Sequence, residues 1–388
     1  MSAAITTSRG AAHLRFIQHA LLYTTKCVRI FLYRLMSLRP SSSFALLSSP
    51  LLSSLSPKKH HDDFDFRALI PRGSWDSHMH VLDPRFPLAP SAVYKPAHFH
   101  TSEDAVAFER DMAGLDGVVI VQPSIYGHDN ACTLSALREL GGPERARAVV
   151  SFDPATTKLE TLMGWDKLGV RGVRLNLQSG GAAPPATEEL ESTIRQYADA
   201  VRPLGWVLQI YASLPTIAKL EPFLADGAAQ LGVRVCIDHM GHPDLKTSRA
   251  FTKTGDPYTI AGFESLVRLL QAGNTWVKLS AAYRFSASDD GFSDAAPVAK
   301  ELLRVAGHNR VVFATDWPHT RFEGLDIRPF IRTVLLDLCE KDEKLIERVF
   351  RGNAEELWSP PSTARAELRE GERDPELHAF IKDGLLYV

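Results

Sequence analysis

Eight short apolar runs, each followed by a stretch that reads as helix, leave this chain few folds to adopt. The runs lie at 75–81, 117–124, 148–153, 170–177, 206–212, 233–240, 275–281 and 310–316. Runs of that length, punctuated by Gly, Pro and Asn, read as strands buried on both faces. Between them, helical stretches occupy 103–113, 188–201, 216–231, 262–272 and 295–306. Strand and helix in alternation imply a parallel sheet, since a parallel neighbour is reached only through a crossover. Eight such units predict an α/β fold, the (β/α)8 barrel of the TIM type. A doubly wound open sheet is the rival topology. It normally carries a glycine-rich phosphate loop after its first strand, and residues 76–83 contain no glycine.

A barrel of this kind places its chemistry at the C-terminal strand ends. The sequence puts polar residues there repeatedly: His78 and His80, Gln122 and Ser124, Arg174 and Asn176, Tyr211, Asp238 and His239, Ser280 and Arg284, Asp316 and His319. Stability alone gives no reason for that repetition. His78 and His80 are one residue apart, so on a strand their imidazoles share a face. With His239 and Asp316 they can do one of two jobs. They can hold a divalent metal such as zinc and acidify a bound water. Without metal, the imidazoles can hydrogen-bond a substrate carbonyl as charge develops on it. Asp316 is the candidate general base in both cases. A two-metal site normally needs a carboxylated lysine at the fourth strand end, but 171–177 has none, and Tyr211 stands where a ligating histidine would help. At most one metal fits, and none is required. Arg174 and Arg284 are planar donors suited to a substrate carboxylate, and Tyr94 and Tyr211 offer hydroxyl contacts.

Composition narrows the partners. The chain has 388 residues, 23% of them charged, with a net charge of −2, so it offers no field for a polyanion and nucleic-acid binding is not expected. Four widely separated cysteines read as reduced thiols in an intracellular protein. Residues 1–61 hold no Asp or Glu but eight Lys and Arg, with serines clustered over 41–56. That is the composition of a mitochondrial transit peptide, or of an extension preceding a second start at Met36, which would leave the protein in the cytoplasm. No run is long and apolar enough to span a bilayer. The barrel domain is expected over 72–358, with a polar tail over 359–388 and loops after strands six and seven (243–259 and 285–297) in position to form lids.

Several segments resemble the amidohydrolase superfamily. They are 75–80 (WDSHMH), 121–124 (VQPS) with 127–130 (GHDN), 169–174 (GVRGVR), 238–241 (DHMG), 315–319 (TDWPH) and 352–358 (GNAEELW). Within it, the chain is most similar to the amidohydrolase-related 2-pyrone-4,6-dicarboxylate lactonase group, over about residues 72–358. The resemblance implies a distorted barrel that opens a lactone or pyrone without obligatory metal. Asp316 would deprotonate water, and His78, His80 and His239 would polarise the carbonyl. Tyr94, Ser124, Arg174, Tyr211, Arg284 and His319 would contact substrate. Two departures matter: Gln178-Ser179-Gly180-Gly181 and His242 stand where that group carries arginines. Each charged hydrogen bond is worth about 1.5–3 kcal/mol, so a dicarboxylate clamp is weakened. A lactone with one carboxylate, or a neutral sugar or aromatic lactone, fits these residues better. A metal-dependent decarboxylase of aromatic or unsaturated acids is the alternative within the superfamily. A non-catalytic scaffold is the alternative outside it.

Overall fold

The computed structural model describes residues 65–179, 185–288 and 291–359, the side chains of 226–230 apart. The extension 1–61 and almost all of the tail fall outside them. Eight parallel strands follow one another in chain order: β1 (Trp75–Met79), β2 (Gly117–Val121), β3 (Ala146–Val150), β4 (Val170–Asn176), β5 (Val207–Tyr211), β6 (Val235–Ile237), β7 (Thr275–Leu279) and β8 (Val311–Phe313). The order excludes a doubly wound sheet. The principal helices between them are α1 (Ser102–Phe108), α2 (Ala131–Glu139), α3 (Leu159–Leu168), α4 (Thr187–Val201), α5 (Leu214–Leu231), α6 (Phe263–Ala272) and α7 (Ala296–Ala306). Helix α8 (Arg328–Thr333) follows β8, and α9 (Asn353–Trp358) closes the described chain.

The alternation of side chains along β2 separates two cores. Val118 and Ile120 join the large cluster between strands and helices, while Val119 and Val121 belong to a smaller cluster with Val149, Val207, Cys236 and Val312. Trp358 of α9 enters this smaller cluster, and its Nε1–H donates to Ser77 Oγ at 3.2 Å. The closing helix therefore plugs the barrel interior. At Gly117 the backbone passes so close to Trp75 that a Cβ would lie 2.5 Å from the indole, which is why glycine opens β2.

β1 and β8 are joined beyond their regular ends. The Asp316 N–H donates to His78 O at 2.9 Å and the His80 N–H to Trp317 O at 2.7 Å. The Asp76 carboxylate ties the same seam, accepting from the His78 N–H (3.1 Å), the Thr315 N–H (2.9 Å) and the Thr315 hydroxyl. Its remaining neighbour is Glu109, also fully enclosed, at the start of the wide turn that prolongs α1. Two carboxyl groups in one dry pocket cannot both ionise. Burial and then the Asp76 charge push Glu109 well above the usual carboxylate range, and burial raises Asp76 to about 6 against the pull of its three donors. The proton of the pair therefore resides on Glu109, beside Asp76.

An acid whose folded pKa is raised stabilises the fold in its protonated form. That contribution is lost as pH rises from the ordinary carboxyl range through the folded value. Glu109→Gln keeps a donor that cannot ionise. We expect the wild-type melting temperature to fall, relative to Glu109→Gln, as pH rises above the ordinary carboxyl range. Thermal melts that run parallel above that range would rule out a proton at Glu109.

Candidate active site

The strands end earlier than the apolar runs suggest, and the reactive side chains lie just past them. β6 stops at Ile237 and β8 at Phe313, so His239 and Asp316 sit on the turns that follow. Both have left-handed backbones, with φ of 53° and 61°, as do Met240 (54°), His242 (48°), Ala281 (56°) and His319 (59°). Outside glycine this conformation costs about 1 kcal/mol or more per residue and persists only where the surroundings enforce it. Here it turns the chain sharply inward at the strand ends. Gly241 completes the turn, since a Cβ there would lie 2.5 Å from Leu214 Cδ2.

Four atoms converge as a result. The Nε2 atoms of His78, His80 and His239 lie 3.7, 3.8 and 3.8 Å from Asp316 Oδ1, and those of His78 and His80 lie 3.3 Å apart. Asp316 Oδ2 accepts from the Tyr283 hydroxyl at 2.7 Å and from Arg284 Nε at 2.8 Å, leaving Oδ1 with no hydrogen-bond partner. His80 and His239 floor a cavity of about 300 Å3, with His78 and Asp316 wholly buried beneath. Tyr94, Ser124, Arg174, Tyr211 and Arg284 all line that cavity, as expected from the sequence. His319 does not: it is packed between Phe108 and Tyr283, with ring centroids 5.9 and 5.4 Å away. Among the described residues, none of either predicted lid segment lines it; the rim comes instead from Gln178, Ser179 and Thr320–Phe322. A second cavity of about 300 Å3 adjoins it across Ser124 and Arg174.

A layer that the sequence reading passed over supports these groups. Lys278, fully buried on β7, faces His78 Nδ1 at 3.2 Å, Gln209 Oε1 at 2.7 Å and Asp238 Oδ1 at 3.3 Å. Asp238 Oδ2 accepts from Arg174 Nε (3.2 Å) and Gln209 Nε2 (2.9 Å). The Asp238 carboxyl would be raised by burial, but Lys278 and Arg174 outweigh that and hold it well below the usual range. Arg284 does the same for Asp316. Burial drives the imidazoles the other way: His78 well below its ordinary value, His80 to about 4 and His239 to about 3. At neutral pH the site holds two ionised carboxylates and three neutral imidazoles. A lysine inside an otherwise apolar strand was the signal for Lys278, and Tyr283 adjoined a residue already singled out.

Tetrahedral zinc with bonds of about 2.0–2.1 Å to nitrogen needs ligand atoms roughly 3.3–3.4 Å apart. His78 Nε2, His80 Nε2 and Asp316 Oδ1, 3.3–3.8 Å apart, suit three of its ligand positions, and His239 Nε2 lies 3.8 Å from the same oxygen.

The amidohydrolase family profile matches residues 75–359. The chain belongs to this family. It is 30% identical over 297 residues to 4-sulfomuconolactone hydrolase of Hydrogenophaga intermedia, covering 75% of this chain and 89% of that protein. It is 30% identical over 260 residues to 2-pyrone-4,6-dicarboxylate hydrolase of Comamonas testosteroni, covering 64% and 78% respectively. Among solved structures, a ligand-free Agrobacterium tumefaciens protein superposes with a TM-score of 0.60 at 24% identity, over 75% of this chain and 98% of that one. A Burkholderia multivorans amidohydrolase with bound zinc gives 0.57 at 18%, over 74% and 99%. The barrel is thus the amidohydrolase fold, and the protein is a hydrolase of that superfamily. Among the described residues no helix is long and apolar enough to cross a membrane.

Because the imidazoles are already neutral well below pH 6.5, hydrolysis should be level from about pH 5 to 8. It should fall only as His80 gains a proton near pH 4. A pH profile of kcat/KM on the purified hydrolase checks this; an inflection near 6.5 would show an ordinary exposed histidine in control instead.

Proposed function

We propose that this hydrolase opens a lactone or related cyclic ester, with Asp316 as general base. The observation that carries the reading is Asp316 Oδ1, a buried carboxylate oxygen without a hydrogen-bond partner, ringed by three imidazole nitrogens. Tyr283 and Arg284 hold the other oxygen, so Oδ1 points where a water would sit. The relatives described above, both named for hydrolysis of lactones or pyrones, favour this over decarboxylation.

The tautomers divide the work. His80 Nδ1 lies 2.7 Å from Val121 O, which can only accept, so His80 donates there and its Nε2 presents a lone pair. The Lys278 ammonium, which can only donate, lies 2.7 Å from Gln209 Oε1 and 3.2 Å from His78 Nδ1, with Asp238 Oδ1 ion-paired at 3.3 Å. His78 then carries its proton on Nε2. Water is held by donation to Asp316 Oδ1 and His80 Nε2, and the substrate carbonyl oxygen accepts from His78 Nε2–H. His239 adds a second donor when the Ser280 hydroxyl, 2.8 Å from Nδ1, gives its hydrogen to that nitrogen. This narrows the sequence reading, in which all three imidazoles polarised the carbonyl. As Asp316 takes the proton, the water oxygen adds to the acyl carbon and negative charge moves to the carbonyl oxygen. Collapse breaks the ring C–O bond, and the proton on Asp316 passes to the leaving oxygen, giving an open-chain acid.

A divalent ion such as zinc would be held by His78, His80, His239 and Asp316 and would supply Lewis acidity there. That role needs His78 in the opposite tautomer, with Nδ1–H toward Asp238 Oδ1 at 3.4 Å.

Asp316→Asn should lower kcat on a panel of lactones and pyrones by about a thousandfold or more, with the fold retained by circular dichroism. Chelation should leave the wild-type rate unchanged. Turnover surviving in Asp316→Asn removes the base assignment, and activity lost with the metal and restored by zinc removes the metal-free mechanism.

A further inference from the structure

The segment after β8 brings a cation to the cavity mouth that the chemistry above does not use. His319 and Arg321 both have left-handed backbones, φ 59° and 69°, and these turns bend the chain back so that Arg321 and Phe322 form part of the rim. The Arg321 guanidinium lies 4.9 Å from the centre of the Tyr94 ring, itself half-buried in the cavity wall. No carboxylate pairs with it among the described residues. Glu323, two residues on, instead accepts from the Arg321 backbone N–H at 3.2 Å.

The other two arginines in the wall are already matched. Arg174 is paired with Asp238 at 3.2 Å and Arg284 with Asp316 at 2.8 Å. His242, which also lines the cavity, is neutral at physiological pH, because burial and then Arg284 lower it to about 4. Gln178 and Ser179 contribute no charge. Among the described residues lining the mouth, Arg321 is the one guanidinium without an ion pair, displaced from the reacting centre and stacked on an aromatic face that keeps it in place.

We propose that Arg321 determines specificity by binding a single oxyanion, carboxylate or sulfonate, carried by the substrate away from the ester being opened. The inference rests on the lactone reading and refines it: the favoured substrate is a monoanionic lactone. A dianion would leave one charge facing Gln178, Ser179 and His242 with no cation to meet it.

Ring ketones that cannot be opened test this without turnover. The probes are 3-oxocyclopentane-1-carboxylate and the matching sulfonate, each compared with its neutral amide by isothermal titration calorimetry. The wild-type enzyme should bind at least one anion about tenfold more tightly than the amide, and the better of the two identifies the group. Arg321→Gln should erase that preference while leaving amide binding unchanged, and Arg321→Lys should recover part of it. A preference that persists in Arg321→Gln, an equal loss for charged and neutral probes, or a wild-type enzyme that does not favour either anion would overturn the proposal. Since no probe is hydrolysed, such a result leaves the Asp316 assignment standing. Inactivity toward lactones would in turn leave the binding result standing.

Discussion

The seam between β1 and the turn after β8 holds the rest of the site in place. Backbone bonds from Asp316 to His78 and from His80 to Trp317 run across it, so Asp316, the proposed general base, and the first two imidazoles are positioned by the same contacts that close the barrel. Asp76 secures the seam from one side of the chain, binding His78 and Thr315 together. A buried carboxylate accepting three hydrogen bonds is costly to ionise unless its remaining neighbour helps, and protonated Glu109 is that neighbour. Barrel closure and catalytic geometry are therefore a single constraint. A change that loosened the Asp76 contacts would move the base relative to the imidazoles before it unfolded the chain.

Around the seam the electrostatics are layered. Three imidazoles kept neutral by burial occupy the centre, between the Asp316–Arg284 pair on one side and the Asp238–Arg174–Lys278 cluster on the other. Neutral imidazoles suit either metal ligation or hydrogen bonding to a carbonyl, which is why residue types alone left both open. What separates the two is one proton on His78. Lys278 and Asp238 compete for Nδ1 at 3.2 and 3.4 Å, the first favouring a proton on Nε2 and the second a lone pair there. A fully satisfied ammonium needs His78 as an acceptor, so the buried lysine biases the ring toward donation.

The barrel was legible because its signal is repetitive: eight apolar runs and intervening helical periods each reinforce the same topology. The convergence of His78, His80, His239 and Asp316 was legible because they recur at run ends, and five of the six residues expected to contact substrate line the cavity. His319 was not separable from them, since whether a side chain after the strand turns to the cavity or to Phe108 depends on backbone angles that residue types do not encode. Lys278 and Tyr283 act from behind the first layer, and Arg321 reaches the mouth only through a left-handed turn. Strand ends were placed too late at β6 and β8 because the strained turns there carry residues as apolar or β-branched as the strand itself, such as Met240 and Thr315.

Two cations, Arg321 at the mouth and Lys278 behind His78, lie at opposite ends of the site, and in the proposed mechanism that placement separates binding from rate. An oxyanion met by Arg321 carries its charge before, during and after ring opening. The contact therefore strengthens ground and transition states alike and lowers KM with little effect on kcat. Lys278 lies behind His78, whose Nε2–H, in the proposed mechanism, would face the oxygen that becomes charged only as water adds. Its field grows in value as the reaction proceeds, so it acts on kcat. A buried, hydrogen-bonded lysine suits the second task, because its charge is fixed in a low-dielectric setting and needs no reorganisation when the oxyanion forms. An exposed guanidinium stacked on Tyr94 suits the first, because it must meet a solvated anion at the mouth and release the product.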